Sequence, residues 1–179
     1  MKTLIVIPVR MASKRFPNKP MAKINDKPMI KHVWERAVQS DLGRVIVACC
    51  DPEVADCIKK AGGEVINTDA KIASGTDRVY EAIKDLNDYL RVDSIINLQG
   101  DMPLVHKEML KKVNKAIVQG YDIATLVTSF SSSKEMQNRN VTKAQVRWTK
   151  YQEIGKIENF NRNIDKLEKK DIYHHVGIY

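Results

Sequence analysis

Residues 3–10 read TLIVIPVR, a short apolar run rich in β-branched residues that ends in an arginine. This composition is typical of a buried strand. The next ten residues read MASKRFPNKP, and their cations Lys14, Arg15 and Lys19 follow closely on Arg10. Four cations so close together repel one another and gain nothing from an apolar core. The stretch therefore predicts a buried strand that leads into a loop with an anionic partner; an ordinary solvated basic loop is the alternative.

The positive charge of the chain is concentrated near its start. The net charge is +8, and residues 1–36 contain nine Lys or Arg against two acidic residues, which leaves +1 for the remainder. A protein that binds duplex nucleic acid usually spreads its cations over many phosphates. A cluster confined to one loop suits a small polyphosphate better, and aromatic residues make up only 6% of the chain. We therefore expect no nucleic-acid partner.

The composition is that of a globular protein, with 43% apolar and 29% charged residues in 179. The apolar run at residues 4–9 is far too short to span a membrane and has no signal-peptide cleavage site. Adjacent Cys49 and Cys50 point to opposite faces of a predicted strand, so the three cysteines give no even disulfide framework. We expect a cytoplasmic protein with no membrane partner, and interpret the cysteines as small buried hydrophobic residues.

Short apolar runs alternate with segments of helical periodicity over residues 1–130. The predicted strands are 3–9, 44–50, 64–68, 93–98 and 122–130, and one helix is predicted in each interval between them. This alternation is typical of right-handed crossovers in a mostly parallel sheet. We expect an α/β fold with an open Rossmann-like sheet and helices on both faces. Residues 131–179 are predicted to form a small β-rich appendage with strands at 144–148, 156–160 and 173–179.

Three loops should meet at one edge of this sheet, because ligands of open α/β folds bind outside the carboxyl ends of the strands. The first is the basic loop. The second contains LQGDMP, residues 98–103, in which Asp101 follows a glycine at a strand end. A single carboxylate placed there suits Mg²⁺, which takes few protein carboxylates and several water or phosphate oxygens. A helix cap or turn acid is the alternative for Asp101.

The third loop contains ASGTDR, residues 73–78. Ser74 and Thr76 offer hydroxyls to a base or ribose at a helix start, and capping alone is the alternative, favoured for Thr76. A further motif is HHVGIY at residues 174–179. Neighbouring strand residues point in opposite directions, so the two histidines would not readily share a zinc ion. One of them is a candidate to bind an acidic sugar; an ordinary strand residue is the alternative.

Several segments, taken in order, resemble one enzyme family. They are IPVRMASKRFPNKPM, KPMIKHVWERA, VACCDPEV, AGGEVINT, SGTDRVYEA, NLQGDMPL and HHVGIY. Together they are similar to the 3-deoxy-manno-octulosonate (Kdo) cytidylyltransferases, which make CMP-Kdo for lipopolysaccharide biosynthesis. The resemblance runs from residue 4 to about 127 and resumes at residue 173. It implies attack by the anomeric hydroxyl of Kdo on the α-phosphate of CTP, with release of pyrophosphate.

The resemblance also implies roles for individual residues. The phosphates of CTP would be held by Arg10, Arg15 and Lys19, and Ser74 would lie near the nucleoside. Lys19 and Asp101 would be catalytic, and Asp101 would carry Mg²⁺.

The sugar acid would contact Gln99, His175 and Tyr179, and Arg162 matches a family arginine less closely. Residues 1–130 would then be the nucleotide-binding core and residues 131–179 a sugar-binding and dimerisation segment. A homodimer is expected.

The chain departs from the family pattern in a few places. Met102 stands where a glutamate is usual, and Cys49-Cys50 replace a usual Thr-Asp pair. The sequence ends at Tyr179, before a Leu-Glu-Gln-Leu-Arg segment and a later aspartate that the family pattern contains. We therefore expect it to bind CTP but to form CMP-Kdo slowly or not at all. The alternatives are a cytidylyltransferase for sialic acid or another nonulosonate, and a truncated, non-catalytic nucleotide-binding remnant.

Overall fold

The computed structural model describes residues 2–12, 16–84, 86, 92–149, 153–168 and 170–179. The chain divides into two compact units, Met1–Asp122 with Ile178–Tyr179, and Ile123–Gly177. The predicted α/β class with a parallel sheet is confirmed in the first unit. Among the described residues, no helix combines the length and the apolarity needed to cross a bilayer.

The first unit alternates strands and helices. Its elements are β1 (Thr3–Pro8), β2 (Lys23–Ile24), β3 (Lys27–Pro28), α1 (Met29–Val38), β4 (Gly43–Cys49), α2 (Pro52–Lys60), β5 (Glu64–Asn67), α3 (Gly75–Ile83), β6 (Ser94–Asn97) and α4 (Lys107–Val118). Strand β1 pairs in parallel with β4 and β6, and β4 pairs with β5, so the sheet order is β5-β4-β1-β6. Every residue of β1 is buried, as its apolar sequence predicts.

The side chains of β1 alternate between the two faces of this sheet. Both faces are therefore apolar and are covered by helices. On one face, Leu4 and Val6 pack in a cluster with Val79 of α3. On the other, the Thr3 hydroxyl donates to Asn114 Oδ1 of α4 at 3.2 Å. Helix α1 contacts both α2 and α4 and so belongs to the second face.

The second unit is an antiparallel sheet. Its elements are β7 (Leu126–Thr128), α5 (Ser133–Gln137), β8 (Lys143–Trp148), β9 (Gly155–Asn161) and β10 (Ile172–Val176), and the strand order is β7-β10-β8-β9. The three strands predicted in this region are confirmed, with ends shifted by a few residues. The short helix α5 was not predicted; Ser132 caps it by accepting a hydrogen bond from the Glu135 amide at 3.1 Å.

The predicted fifth strand of the parallel sheet, residues 122–130, is wrong. Only β7 forms within that range, and it pairs antiparallel with β10 in the other sheet. The edge of the parallel sheet is lined instead by the last residues of the sequence. The backbone of Tyr179 exchanges hydrogen bonds of 2.8 and 3.2 Å with Asn97, and Leu98 bridges to Ile178. These backbone groups are already paired, so a further strand cannot add at that position.

Candidate functional site

A cavity of about 220 Å³ lies in the first unit at the carboxyl ends of β1 and β6 and the start of α3. Its wall contains five of the residues singled out in the sequence, which are Arg10, Lys19, Ser74, Gln99 and Asp101. The three predicted loops therefore meet at one edge of the sheet. Arg15, the other predicted phosphate-binding residue, lies outside the described residues.

An ion pair crosses one side of the cavity. Lys19 Nζ lies 2.6 Å from Asp101 Oδ2, and the two side chains are 33% and 53% exposed. Lys19 begins a short 3₁₀ helix, Lys19–Met21, directly after Asn18, whose backbone is left-handed with φ 57°. An ion pair between partly exposed groups contributes little free energy, so both charges remain available to a ligand.

Gly100 lets the ends of β1 and β6 approach each other behind Asp101. A Cβ atom on Gly100 would lie 2.8 Å from Val9 Cγ2 and 3.2 Å from the carbonyl oxygen of Pro8. A larger residue would push these strand ends apart. The glycine in the LQGDMP motif therefore sets the distance between Asp101 and the start of the basic loop.

Ser74 is the N-cap of α3. Its hydroxyl oxygen accepts from the Asp77 amide at 3.0 Å and donates to Asp77 Oδ2 at 2.6 Å. Capping therefore falls on Ser74 and not on Thr76, for which the sequence favoured it. Gln99 also lines the cavity, and its Nε2 donates to Asn97 Oδ1 at 2.9 Å.

Arg78 is a cavity residue that the sequence analysis did not single out. It is 2% exposed and lines the cavity. Its guanidinium donates to Thr68 Oγ1 and, at 3.2 Å, to the carbonyl oxygen of Ile72. Within the described residues it forms no ion pair with a carboxylate. Its spacing in the sequence could have identified it, because Arg78 follows Ser74 by four residues and residues four apart lie on one face of a helix.

The carboxylate of Asp101 is the group in this cavity best suited to a divalent cation. In the described parts of the chain, no three His, Cys, Asp or Glu side chains are grouped so that they could hold a metal ion. Mg²⁺ does not require such a group, because it commonly takes one or two carboxylates and completes its shell with water and phosphate oxygens. The donor set therefore fits Mg²⁺ shared with a polyphosphate ligand.

The histidines of the HHVGIY motif have separate partners within the second unit. His175 is 9% exposed, its Nε2 lies 2.9 Å from Thr125 Oγ1, and its ring meets that of Phe160 edge-on at 4.9 Å. Burial, and to a lesser degree the charge of His174, lowers the pKa of His175. His174 instead pairs with Glu135 at 2.8 Å. The two side chains lie on opposite faces of β10, as the alternation of a strand predicts.

The remaining predicted sugar-binding residues are more exposed. Arg162 has an exposed side chain, and its carbonyl oxygen accepts from Lys143 Nζ at 2.9 Å within the second unit. Tyr179 belongs to the first unit, where its side chain is 41% exposed.

Comparisons with known proteins agree with one another. A family model described as cytidylyltransferase matches residues 4–179. The chain is 42% identical to the 3-deoxy-manno-octulosonate cytidylyltransferase of Paramagnetospirillum magneticum over 98% of its own length and 72% of the relative's. For the enzyme of the same name from Parvibaculum lavamentivorans the identity is 38%, over 98% and 68%.

A solved structure gives the same result. The structure of CMP:2-keto-3-deoxy-manno-octonic acid synthetase complexed with CTP matches 99% of this chain and 73% of its own, at 34% identity and a TM-score of 0.84. The sequence resemblance is thereby confirmed, and the chain belongs to the 3-deoxy-manno-octulosonate cytidylyltransferase family of nucleotidyltransferases.

Proposed function

We propose that this chain transfers the cytidylyl group of CTP to Kdo, giving CMP-Kdo and pyrophosphate for lipopolysaccharide biosynthesis. The observation that carries the proposal is the cavity in which the cations Arg10 and Lys19 meet Asp101, Ser74 and Gln99. The solved relative in complex with CTP supports the nucleotide, and the names of the curated relatives support the sugar acid. The same names do not favour a sialic acid substrate.

In the proposed reaction, the anomeric oxygen of Kdo forms a bond to the α-phosphorus of CTP. The bond from that phosphorus to the oxygen bridging to the β-phosphate breaks, pyrophosphate leaves, and the hydroxyl proton passes to solvent. The step needs no covalent enzyme intermediate, so the protein contributes positioning and charge neutralisation. Arg10, Arg15 and Lys19 are assigned to the phosphates, and Ser74 to the nucleoside.

Lys19 and Asp101 are the proposed catalytic residues. Asp101 would hold Mg²⁺, which when bound supplies positive charge to the phosphate oxygens. Lys19 would exchange its bond to Asp101 for one to a phosphate oxygen, since both groups are partly exposed and free to move.

Gln99 and Tyr179 of the first unit are assigned to the sugar acid. The sequence resemblance gives the same role to His175 and Arg162, whose contacts are described within the second unit alone. Guanidinium groups suit the carboxylate of such a sugar, because the two are matched in charge and in geometry. His175, kept neutral by its lowered pKa, suits a hydrogen bond to a sugar hydroxyl.

We also propose a homodimer located in the cytoplasm, with residues 131–179 contributing to the interface as well as to sugar binding. The sequence resemblance carries this proposal, and Phe160 on β9, which is 45% exposed, is an apolar residue that such an interface would cover. Sedimentation velocity at several concentrations tests the assembly, and a single monomeric species at the highest concentration would rule it out.

Pyrophosphate release from CTP, Mg²⁺ and Kdo tests the proposed activity, with N-acetylneuraminic acid as the competing acceptor. We expect slow release, with Kdo only, and its loss in Asp101→Asn. Asp56→Asn, the same change at an exposed position of α2, is the matched control. CTP binding without pyrophosphate release under any condition would favour the non-catalytic alternative. Faster pyrophosphate release with N-acetylneuraminic acid than with Kdo would favour a sialic acid cytidylyltransferase.

A further inference from the structure

Asp51 occupies a helix N-cap position but does not cap the helix. It precedes α2 with an extended backbone, and its side chain makes no hydrogen bond to the first-turn amides. Its Oδ2 instead accepts from the backbone amide of Met11 at 2.9 Å, and the Cys50 thiol donates to the same oxygen at 3.4 Å. The carboxylate is therefore directed at the basic loop, forty residues earlier in the sequence.

Met11 is the point at which the two ends of that loop join. Its carbonyl oxygen accepts from the Asn18 amide at 3.3 Å, while its own amide is held by Asp51. The residues on the outer sides of this junction are Arg10 and Lys19, and both line the cavity. A single bond from Asp51 thus fixes the backbone from which both cationic side chains extend.

This arrangement has two costs. The amides at the start of α2 lose a capping partner that aspartate usually supplies. A negative charge also lies beside a loop proposed to bind an anion, and it opposes that binding. Both effects disfavour an aspartate here unless its bond to Met11 serves another purpose. Fixing the loop before the ligand arrives is such a purpose, because less conformational freedom is then lost on binding.

We infer that Asp51 is a positioning residue for the triphosphate site, acting through Met11 on Arg10 and Lys19. The inference rests on the proposed binding of CTP. It assigns a role to a residue that is not part of the cavity wall.

Three substitutions at Asp51 separate positioning from charge. Asp51→Asn keeps an oxygen acceptor for Met11 and removes the negative charge, so CTP affinity should stay the same or rise. Asp51→Ala and Asp51→Ser remove the bond, and we expect CTP to bind about tenfold more weakly, the scale of one lost hydrogen bond to a charged group. Serine is a good N-cap, so Asp51→Ser should remain as stable to heat as the unmodified chain.

Titration calorimetry with CTP and Mg²⁺ is the measurement. Hydrogen exchange of the Met11 amide accompanies it and should be slow in the unmodified chain and in Asp51→Asn but fast in the other two. Glu53→Ala is the matched control, since Glu53 is exposed in the first turn of α2 and carries the same charge.

The outcomes are distinguishable. Equal or tighter CTP binding by Asp51→Ala and Asp51→Ser overturns the inference and leaves the proposed function standing. An unmodified chain that binds no CTP overturns both. A similar gain in CTP affinity in Asp51→Asn, Asp51→Ala and Glu53→Ala would mean that charge alone matters, and this too overturns the positioning role.

Discussion

Lys19 and Lys143 carry the same charge in opposite environments, one in each compact unit. Lys19 lies at the rim of the cavity, one-third exposed, in an ion pair with Asp101. Lys143 is fully buried at the start of β8, and its ammonium donates to three backbone carbonyls: Asn138 at 2.5 Å, Val141 at 2.9 Å and Arg162 at 2.9 Å. Burial lowers the pKa of Lys143.

The difference separates charge available to a ligand from charge committed to the fold. The three protons of the Lys143 ammonium are all used, so a ligand would have to displace structural bonds to reach it. The bond between Lys19 and Asp101 is partly solvated and exchanges at little cost. Lys143 is therefore a structural element, and the partly exposed pair of Lys19 and Asp101 is the one that we propose for the site.

The largest effect is expected from Lys143→Met. Methionine fills a similar volume but donates to none of the three carbonyl oxygens, of which that of Asn138 keeps the Val141 amide as a donor at 3.0 Å. Regaining the cost of burying the charge offsets only part of that loss. We expect the free energy of unfolding to fall by about 3 kcal/mol, measured by urea denaturation followed through circular dichroism. Lys156→Met, on the exposed side of β9, is the control and should change little. An unchanged midpoint in Lys143→Met would mean that its three hydrogen bonds carry no net stability.

The next effect is on ligand binding. Lys19→Met should weaken CTP about 30-fold, or about 2 kcal/mol, because it removes one charge-assisted bond to a phosphate. Stability should change by less than about 1 kcal/mol, since the bond that the Lys19 side chain makes among the described residues is a partly exposed ion pair. Calorimetric titration with CTP measures the first quantity and thermal unfolding the second. If Lys19→Met lost much stability but bound CTP with unchanged affinity, Lys19 would be structural like Lys143, and the contrast between the two lysines would be wrong.

Sequence patterns predicted Lys19 but could not predict the role of Lys143. Lys19 belongs to a local cluster of cations after a buried strand, and such a cluster is visible along the chain. Lys143 is one of many lysines in a stretch of mixed charge. Its partner Arg162 is brought to it by pairing between β8 and β9, whereas Asn138 and Val141 are near it in sequence. Burial that depends on tertiary pairing leaves no local signal.

The same distinction, between local patterns and tertiary pairing, explains which predictions about the fold were wrong. The four strands of the parallel sheet and the helices α1 to α4 follow apolar periodicity, which is local, and were predicted within a few residues, whereas the two-residue strands β2 and β3 were not predicted. The assignment of residues 122–130 to the parallel sheet failed because the backbone at Asn97 and Leu98 pairs with Ile178 and Tyr179, far along the chain. The interpretation of the cysteines as buried hydrophobic residues, in contrast, holds for Cys49. Burial raises the pKa of its thiol to about 11.

A smaller effect concerns His175 and pH. Its pKa is lowered in the folded chain, so the unfolded state binds the proton more readily and stability falls as the pH drops below the unfolded value of about 6.5. Above that pH the contribution is constant. His175→Gln should therefore lose less stability than the unmodified chain between pH 7.5 and 5.5, measured by urea midpoints at both. An identical drop in both proteins would assign the acid sensitivity to other groups.

The smallest expected effect is the coupling between Lys19 and Asp101. A double-mutant cycle with Lys19→Met, Asp101→Asn and the combined variant isolates this term in the free energy of unfolding. With a 2.6 Å contact between partly exposed groups, we expect about 0.5 kcal/mol. In 1 M KCl the coupling should shrink, because the screening length falls to about 3 Å, close to the distance between the two groups. The cost of Lys143→Met should persist in the same salt, since Lys143 is buried and its partners are uncharged carbonyl groups. A coupling above about 2 kcal/mol, insensitive to salt, would make the rim pair as structural as Lys143, and CTP would then have to break a strong bond to reach Lys19.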